Sequence, residues 1–182
     1  SNAALDINKF SGYIQDNIRL GGTKKDITLQ AGVRYNYNSL NKEFLISPRM
    51  QLSWKPVWKK DVVLKLAAGA YHQPPFYREL RRYDGTLNTD VKAQKSYQFV
   101  AGMDYNFKGL EGRPFRLTTE AYYKSMSSVD VYDIDNVKIR YAGNNNAKAY
   151  ATGFEARLFG ELVKDAESWL SIGIMQTKEN LD

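Results

Sequence analysis

Apolar and polar residues change places at every step along almost the whole of this chain, and no other feature narrows its possible folds as much. Between residues 27 and 37, Ile27, Leu29, Ala31, Val33, Tyr35 and Tyr37 fall on one side of an extended chain, and Thr28, Gln30, Gly32, Arg34 and Asn36 on the other. A period of two is the signature of a half-buried strand, because successive side chains leave opposite faces. The same pattern sets Met50, Leu52 and Trp54 against Arg49, Gln51, Ser53 and Lys55. It sets Phe99, Ala101, Met103, Tyr105 and Phe107 against Gln98, Gly102, Asp104 and Asn106, with Val100 the exception. Thr152, Phe154, Ala156 and Leu158 stand against Gly153, Glu155 and Arg157, and Leu170, Ile172 and Ile174 against Ser171 and Gly173. Weaker alternation near 10–20, 61–71 and 114–124 brings the expected total to eight strands, and no segment reads as a helix.

Composition removes several classes of function. The 182 residues, 43% of them hydrophobic, are enough to fold rather than stay disordered. Mean hydropathy is −0.54, and no run of eighteen apolar residues could span a membrane as a helix. A transmembrane barrel strand needs only about ten alternating residues and leaves no hydropathy peak, so a membrane is not excluded. Cysteine is absent, which removes thiolate catalysis, thiolate zinc sites and disulfides. A single histidine, His72, speaks against a histidine-rich metal site or a Ser-His-Asp triad. The net charge of +6 comes from basic residues scattered along the chain rather than clustered, so nucleic acid is not expected as a partner. The leading Ser1-Asn2-Ala3 reads as a scar of tag removal, leaving residues 4–182 for the fold; with no signal peptide after it, the piece is expected to derive from a longer chain.

A soluble sandwich would alternate as well, so the connections carry the choice. They run "GGTKKD", "NSLNKEFLIS", "VWKK", the long stretch from His72 to Lys95, "KGLEGR", the stretch from Ser125 to Tyr150, and "GELVKDAES". Odd links are short and even links longer. An up-and-down meander through an outer membrane does this, with short periplasmic turns and long extracellular loops. The polar positions Arg34, Lys65, Asp104, Glu120, Lys124, Glu155 and Arg157 are too charged for a dry sandwich interior and suit a wet lumen. Trp54, Trp58, Tyr105, Phe107, Phe159 and Trp169 sit beside short turns, where an aromatic girdle would fall, though aromatics close any β core. Pro74 and Pro75 end a strand, since proline has no N–H for a ladder, and the loop that follows is long enough to suggest a function.

With these residues in view the chain resembles the middle-to-late barrel of TonB-dependent outer-membrane receptors. "SPRMQLSWKP", "LKLAAGAYHQPPFYREL", "LNTDVKAQKSYQFVAGMDYNF", "FRLTTEAYYKSMSSVDVY" and "NNNAKAYATGFEARL" come in family order, the last with the Ala-x-x-x-Gly-aromatic-Glu pattern at Ala149 to Glu155. The second and fifth are closest in wording to receptors of Bacteroidetes type. The resemblance implies an all-β, antiparallel up-and-down meander of about eight strands out of the twenty-two of such barrels. Nothing here resembles the plug, the TonB box, the first barrel strands or the last. It further implies a transporter in the cell outer membrane, not an enzyme, with no cofactor. Its substrate would be a large or scarce nutrient such as a metal chelate, vitamin or glycan. The implied partners are the TonB energy-transducing complex acting through the plug and outer-membrane lipid, with a surface lipoprotein left open. A passive porin-like barrel and a soluble β-sheet binding module remain as alternatives, and the isolated piece is expected to self-associate.

Two loops carry the candidate ligand contacts: His72, Tyr77, Arg78, Arg81, Arg82 and Tyr83 in one, and Tyr132, Asp133, Asp135, Arg140, Tyr141 and Asn144 in the other. Aromatic and arginine mixtures suit sugars, chelates and other polar ligands through stacking and bidentate hydrogen bonds. The same residues could equally pack the loops together or face lipopolysaccharide. The acidic stretches "YDGTLNTD" and "VYDIDN" lack the spacing of an EF-hand, and no catalytic or metal residue is assigned. Asp133 and Asp135 are not read as a glycosidase pair, on the expectation that they leave an extended chain on opposite faces and that no cleft is evident.

Overall fold

A computed structural model describes residues 7–21, 26–77, 79–80, 86–129, 132–135, 138–141, 146–163 and 165–180 of the chain. Eight strands form one antiparallel sheet: β1 (Lys9–Arg19), β2 (Asp26–Asn38), β3 (Glu43–Lys55), β4 (Asp61–Gln73), β5 (Gln94–Lys108), β6 (Pro114–Val129), β9 (Ala147–Val163) and β10 (Ala166–Asn180). Two short strands, β7 (Tyr132–Asp135) and β8 (Lys138–Tyr141), make a separate hairpin between β6 and β9. Each long strand lies beside its successor in the sheet, so the chain is a meander without crossovers. The links after β1, β3, β5 and β9 therefore gather at one rim and those after β2, β4 and β6 at the other, as the link lengths suggest.

The registers carry the two-faced pattern from strand to strand without a slip through the centre of the sheet. Leu29 stands opposite Leu52, Leu52 opposite Leu66 and Leu66 opposite Ala101. Ala101 in turn stands opposite Ala121, Ala121 opposite Phe154 and Phe154 opposite Ile174. Directly opposed residues share a face, so this row is one continuous apolar surface. The other face carries Lys65 opposite Gly102, Gly102 opposite Glu120 and Glu120 opposite Glu155. A one-residue slip anywhere would exchange the two surfaces, which is why so strict an alternation specifies the register. The apolar side is left open: Val33 is 45% exposed and Ile172 61%.

Two readings of the links need correction. The second link, expected to run from 38 to 47, is only the turn at 39–42, because β3 begins at Glu43 and pairs with β2 all the way, Asn38 opposite Glu43. Pro48 explains the misreading. It sits inside β3 opposite Val33, while the β3–β4 ladder starts only at Arg49 opposite Gly69. A proline lacks one ladder donor, so it can end pairing towards one neighbour while the strand continues along the other. Lys42, with φ of 51°, makes the tight corner. The aromatic girdle is also partly misassigned: Phe159 and Trp169 oppose each other and Phe159 opposes Arg116, which puts both aromatics on the polar face. The guanidinium groups of Arg116 and Arg157 lie 5.6 and 5.8 Å from the Phe159 ring centre. Trp54, Tyr105 and Phe107 keep to the apolar face, Phe107 stacking between Tyr105 and Phe115 at 5.1 and 5.7 Å.

An eight-stranded single sheet has no interior of its own, and most of the buried apolar residues lie at the long-link rim, with Val62 and Phe115 at the other. Above Arg49 the upper ends of β3 and β4 make no ladder, and the chain after β4 folds back over the polar face there. Leu80, Val91 and Ala93 are almost wholly buried, together with Leu45 of β3. The fold-back is fastened by Glu43, whose Oε2 accepts hydrogen bonds from the Ala93 amide at 2.9 Å and from Asn41 Nδ2 at 2.8 Å. At its start, the Glu79 carboxylate accepts the amide of Phe76 at 2.9 Å, and the carbonyl of Leu80 accepts the amide of Asn88 at 2.7 Å. The Pro-aromatic-x-x-Glu-Leu wording is thus the recipe for a closed turn with a buried leucine.

Candidate functional site

The polar face is structured by charge as well as by register. The Lys65 ammonium bonds the Asp104 carboxylate, which also accepts the hydroxyl of Thr118 at 2.9 Å. Nearer the short-link rim Lys55 meets Asp61 at 2.6 Å, and Asp61 accepts Asn106 Nδ2 at 3.1 Å. Gly32 lets two long side chains meet: Arg49 from β3 donates across it to Gln15 Oε1 on β1 at 2.7 Å. Charged groups that bond each other across strands on an open surface are what a water-filled space tolerates and a dry core does not.

Below the fold-back, a cleft of about 440 Å³ opens on this face between the outer ends of β2 to β6. It is lined by Arg34 and Asn36 of β2, Ser47 of β3, Tyr71 and His72 of β4, Gln94, Lys95, Ser96 and Gln98 of β5, and Lys124 of β6; by register Gln94, Ser96 and Gln98 turn to the polar face and Lys95 to the opposite one. It exists because β3 and β4 part above Arg49 and the gap is closed only at the top. His72 Nδ1 lies 3.1 Å from Ser47 Oγ and bridges the two strands where the ladder does not. Tyr71 lies along its own strand over Gly69, where a Cβ would sit 2.8 Å from the ring, and so walls the cleft at the cost of no neighbouring side chain.

Among the sequence candidates, His72 lines this cleft and Tyr77 projects into solvent from the loop beyond. Arg78, Arg81, Arg82, Tyr83 and Asn144 lie outside the described residues. Tyr132, Asp133 and Asp135 fall in β7 and Arg140 and Tyr141 in β8, with Tyr132 opposite Tyr141 and Asp133 opposite Arg140. Asp133 and Asp135, being two apart in a strand, share a face, contrary to the expectation of opposite faces. In the ladder Asp135 is paired with Lys138. Among the described residues no group of three or more His, Asp or Glu could hold a metal ion. The candidate search favoured loops and passed over the wall positions Asn36, Ser47, Gln98 and Lys124. Their signal is present in the sequence: polar residues on the polar face of strands, close to the ends that feed long links.

An open, twofold-faced meander with a charged and grooved polar side and an exposed apolar side is the architecture of an outer-membrane barrel wall. Comparison with known proteins makes this specific. The family described as TonB dependent receptor-like, beta-barrel matches residues 1–177, and the chain belongs to it. A sequence comparison with curated proteins gave no match. Among solved structures, the chain is similar to the copper transporter OprC, with a TM-score of 0.71 at 14% identity, covering 94% of this chain and 30% of that one. It is similar also to the outer membrane transporter YddB from Escherichia coli, with a TM-score of 0.71 at 16% identity, covering 97% of this chain and 25% of that one. At such identities the likeness is one of fold, and the chain spans under a third of either transporter.

Proposed function

We propose that residues 4–182 form part of the wall and outer loops of a TonB-dependent receptor that brings a large or scarce nutrient across the outer membrane. Family membership supports transport as the general activity. The observation that carries the reading for this chain is the pair of opposed surfaces. Through the centre of the sheet the apolar residues lie to one side, where Val33 and Phe154 stay exposed, and Lys65, Asp104, Glu120 and Glu155 lie to the other, where Lys65 and Asp104 bond. Lipid on the first side and water on the second satisfy both. Energy would reach the substrate through a plug domain moved by the TonB complex, and the wall would supply shape and contacts. Family membership favours a transporter over an enzyme. A passive porin would share the wall but would work without TonB.

Two measurements on the intact receptor test this. Nitroxides placed one at a time at Val33, Met50, Phe99 and Phe154 in liposomes should be relaxed by oxygen and shielded from a water-soluble nickel chelate. Labels at Arg34, Gln51, Gln98 and Glu155 should show the reverse. Equal accessibility at Val33 and Arg34 would remove the barrel-wall reading. Uptake of the nutrient that stops when TonB is deleted separates the receptor from the porin, since a porin would continue to pass its solute.

A further inference from the structure

We propose that the outer end of the apolar face, in the sector of β5 to β10, docks the phosphate groups of outer-leaflet lipid through Lys95, Lys148 and Lys178. The inference rests on the receptor reading above and adds a specific headgroup contact to a wall that reading leaves merely covered by lipid. Followed upward over β5, β6, β9 and β10, the registers divide this face into rows. Ala101, Ala121, Phe154 and Ile174 form an apolar row, and Phe99, Tyr123, Thr152 and Gln176 the next. Tyr97, Ser125, Tyr150 and Lys178 stand above them, and Lys95 opposite Ser127 comes at the top. Lys148 is exposed between Ala147 and Ala149, which are 2% and 9% exposed, so it leaves the sheet on the outer side at the same height. Aliphatic residues thus give way to aromatic ones and these to cations, the order in which a bilayer passes from acyl chains to headgroups. Among the described residues the registers put no other lysine or arginine on this face between its middle and the long-link rim. The one carboxylate there is Asp16 of β1, at the far edge of the sheet, and Glu179 beside Lys178 turns to the polar side opposite Ala149.

A bulge shapes the ground between the lysines. Met126 pairs with Ala149 and Val129 with Ala147, so Ser127 and Ser128 of β6 stand against the single residue Lys148. Ser128 takes the left-handed region, with φ of 55°, a strained conformation for a residue with a side chain and one that gathers at binding sites, where bulges re-aim side chains. Ser127 is left on the outer face in the row of Lys95 and Lys148. These two lysines are two strands apart, about 10 Å. Lys148 and Lys178 are diagonal neighbours on β9 and β10, about 7–8 Å apart. Flexible ammonium arms at such spacings can close on one phosphate or hold two, with the Ser127 hydroxyl as a further donor. Just below, Tyr123 and Tyr150 stack at 6.2 Å and Tyr97 is 49% exposed, amphipathic rings at the height where acyl chains meet headgroups. Lysines that only reach for water need no such grouping. β1 to β3 approach the same rim with Phe10, Tyr37, Phe44 and Ile46 on this face and no cation, so the charge is confined to one sector.

Native mass spectrometry of the intact receptor, exchanged from detergent with defined lipids, tests the assignment. Diphosphoryl lipid A should be retained, and dioleoylglycerol, which has acyl chains but no phosphate, should not. Lys95→Gln, Lys148→Gln and Lys178→Gln together should weaken lipid A about tenfold or more, whereas arginine at the same three positions, which keeps the charges, should retain most of the affinity. Lys59→Gln, Lys60→Gln and Lys108→Gln, an equal change of charge at the opposite rim, should alter it by less than about twofold. Inorganic phosphate added at constant ionic strength should leave lipid A bound. The nitroxide pattern at Val33 and Arg34, measured on each preparation, reports whether the wall is intact. Lipid A that stays on the first glutamine triple with that pattern intact would overturn the docking surface and leave the receptor standing. So would equal retention of dioleoylglycerol, an equal loss from the opposite-rim triple, or displacement by inorganic phosphate, which would make this an anion site without lipid as its occupant. Loss of the accessibility pattern in the unmodified receptor would remove the receptor reading and this inference together.

Discussion

Gly12, Gly69 and Gly153 are places where a tyrosine ring crosses the ladder, and they are not equivalent. A Cβ on Gly153 would lie 2.5 Å from the Tyr122 hydroxyl and 2.8 Å from the carbonyl oxygen of Ile174 in β10. The ring can swing away; the backbone oxygen of a paired strand cannot. At Gly12 the only close atoms belong to the Tyr35 ring, 2.5 Å away at nearest, which is free to rotate into solvent. Gly153→Ala should therefore destabilise the barrel by about 1–3 kcal/mol, the usual range for overpacking against a fixed neighbour, and Gly12→Ala by less than about 1. Thermal or urea unfolding of the two variants in detergent checks this, and equal losses would mean that Ile174 moves more easily than its pairing implies. The glycine of the Ala-x-x-x-Gly-aromatic-Glu pattern thus has a steric reason. It is the seat of Tyr122, and is followed by a phenylalanine for the apolar side and a glutamate for the polar one.

At the scale of the element, each strand is specified by alternation and each link by what its ends can bond. Charge on the apolar face is the direct test of the first point. Val33→Arg places a cation where lipid is expected and should cost about 2–4 kcal/mol near the bilayer midplane, while Arg34→Ala one residue away should cost much less. Folding yields of the intact barrel into liposomes decide it, and similar losses would count against two distinct faces. The fold-back after β4 depends on one carboxylate. Removing it with Glu43→Ala leaves the buried Ala93 amide without its acceptor, a loss of about 1–3 kcal/mol. Hydrogen exchange at the Ala93 amide should quicken by about tenfold or more, while amides in β5 and β6 keep their protection. Uniform quickening would mean that the fold-back and the sheet open as one unit.

For the whole molecule, the chain by itself is an open sheet. β1 and β10 each have one neighbour, so each presents a row of unpaired backbone donors and acceptors. Beside them Ile14 is 78% exposed and Ile174 72%, on a face that would be covered by lipid in a closed barrel. In water both features recruit other chains. The isolated 182-residue chain should sediment as an assembly rather than as a 20.8 kDa monomer, and detergent should reduce its size. A monodisperse monomer in plain buffer would show that the edges find partners within the chain. Curvature belongs to this scale too: strand number, tilt and shear set barrel diameter together, so the isolated sheet is free to curl more tightly than the parent wall.

Local periodicity was sufficient for the eight strands of the sheet, their antiparallel order and the side most residues take, but not for the short β7–β8 hairpin inside the sixth link. Leu29 and Arg34, or Phe154 and Glu155, could be assigned to faces from the sequence because the pleat has a period of two and a buried or lipid-covered face tolerates no slip. Pro48 was legible as a breaker but not as a breaker on one side only, since which of two neighbours a strand abandons depends on where those neighbours lie. Phe159 and Trp169 looked like girdle residues beside a turn, although the alternation of their own strands already sets them with Arg157 and Ser171, and the registers place them on the polar side with Arg116. The cleft was beyond the sequence altogether. Arg34, Ser47, Gln98 and Lys124 come from four strands, are separated by up to ninety residues, and line one cleft only because β3 and β4 part and the chain between β4 and β5 folds back over the gap. A two-residue period is a property of the chain next to itself; a cavity is a property of distances between segments, and those are decided by tertiary structure.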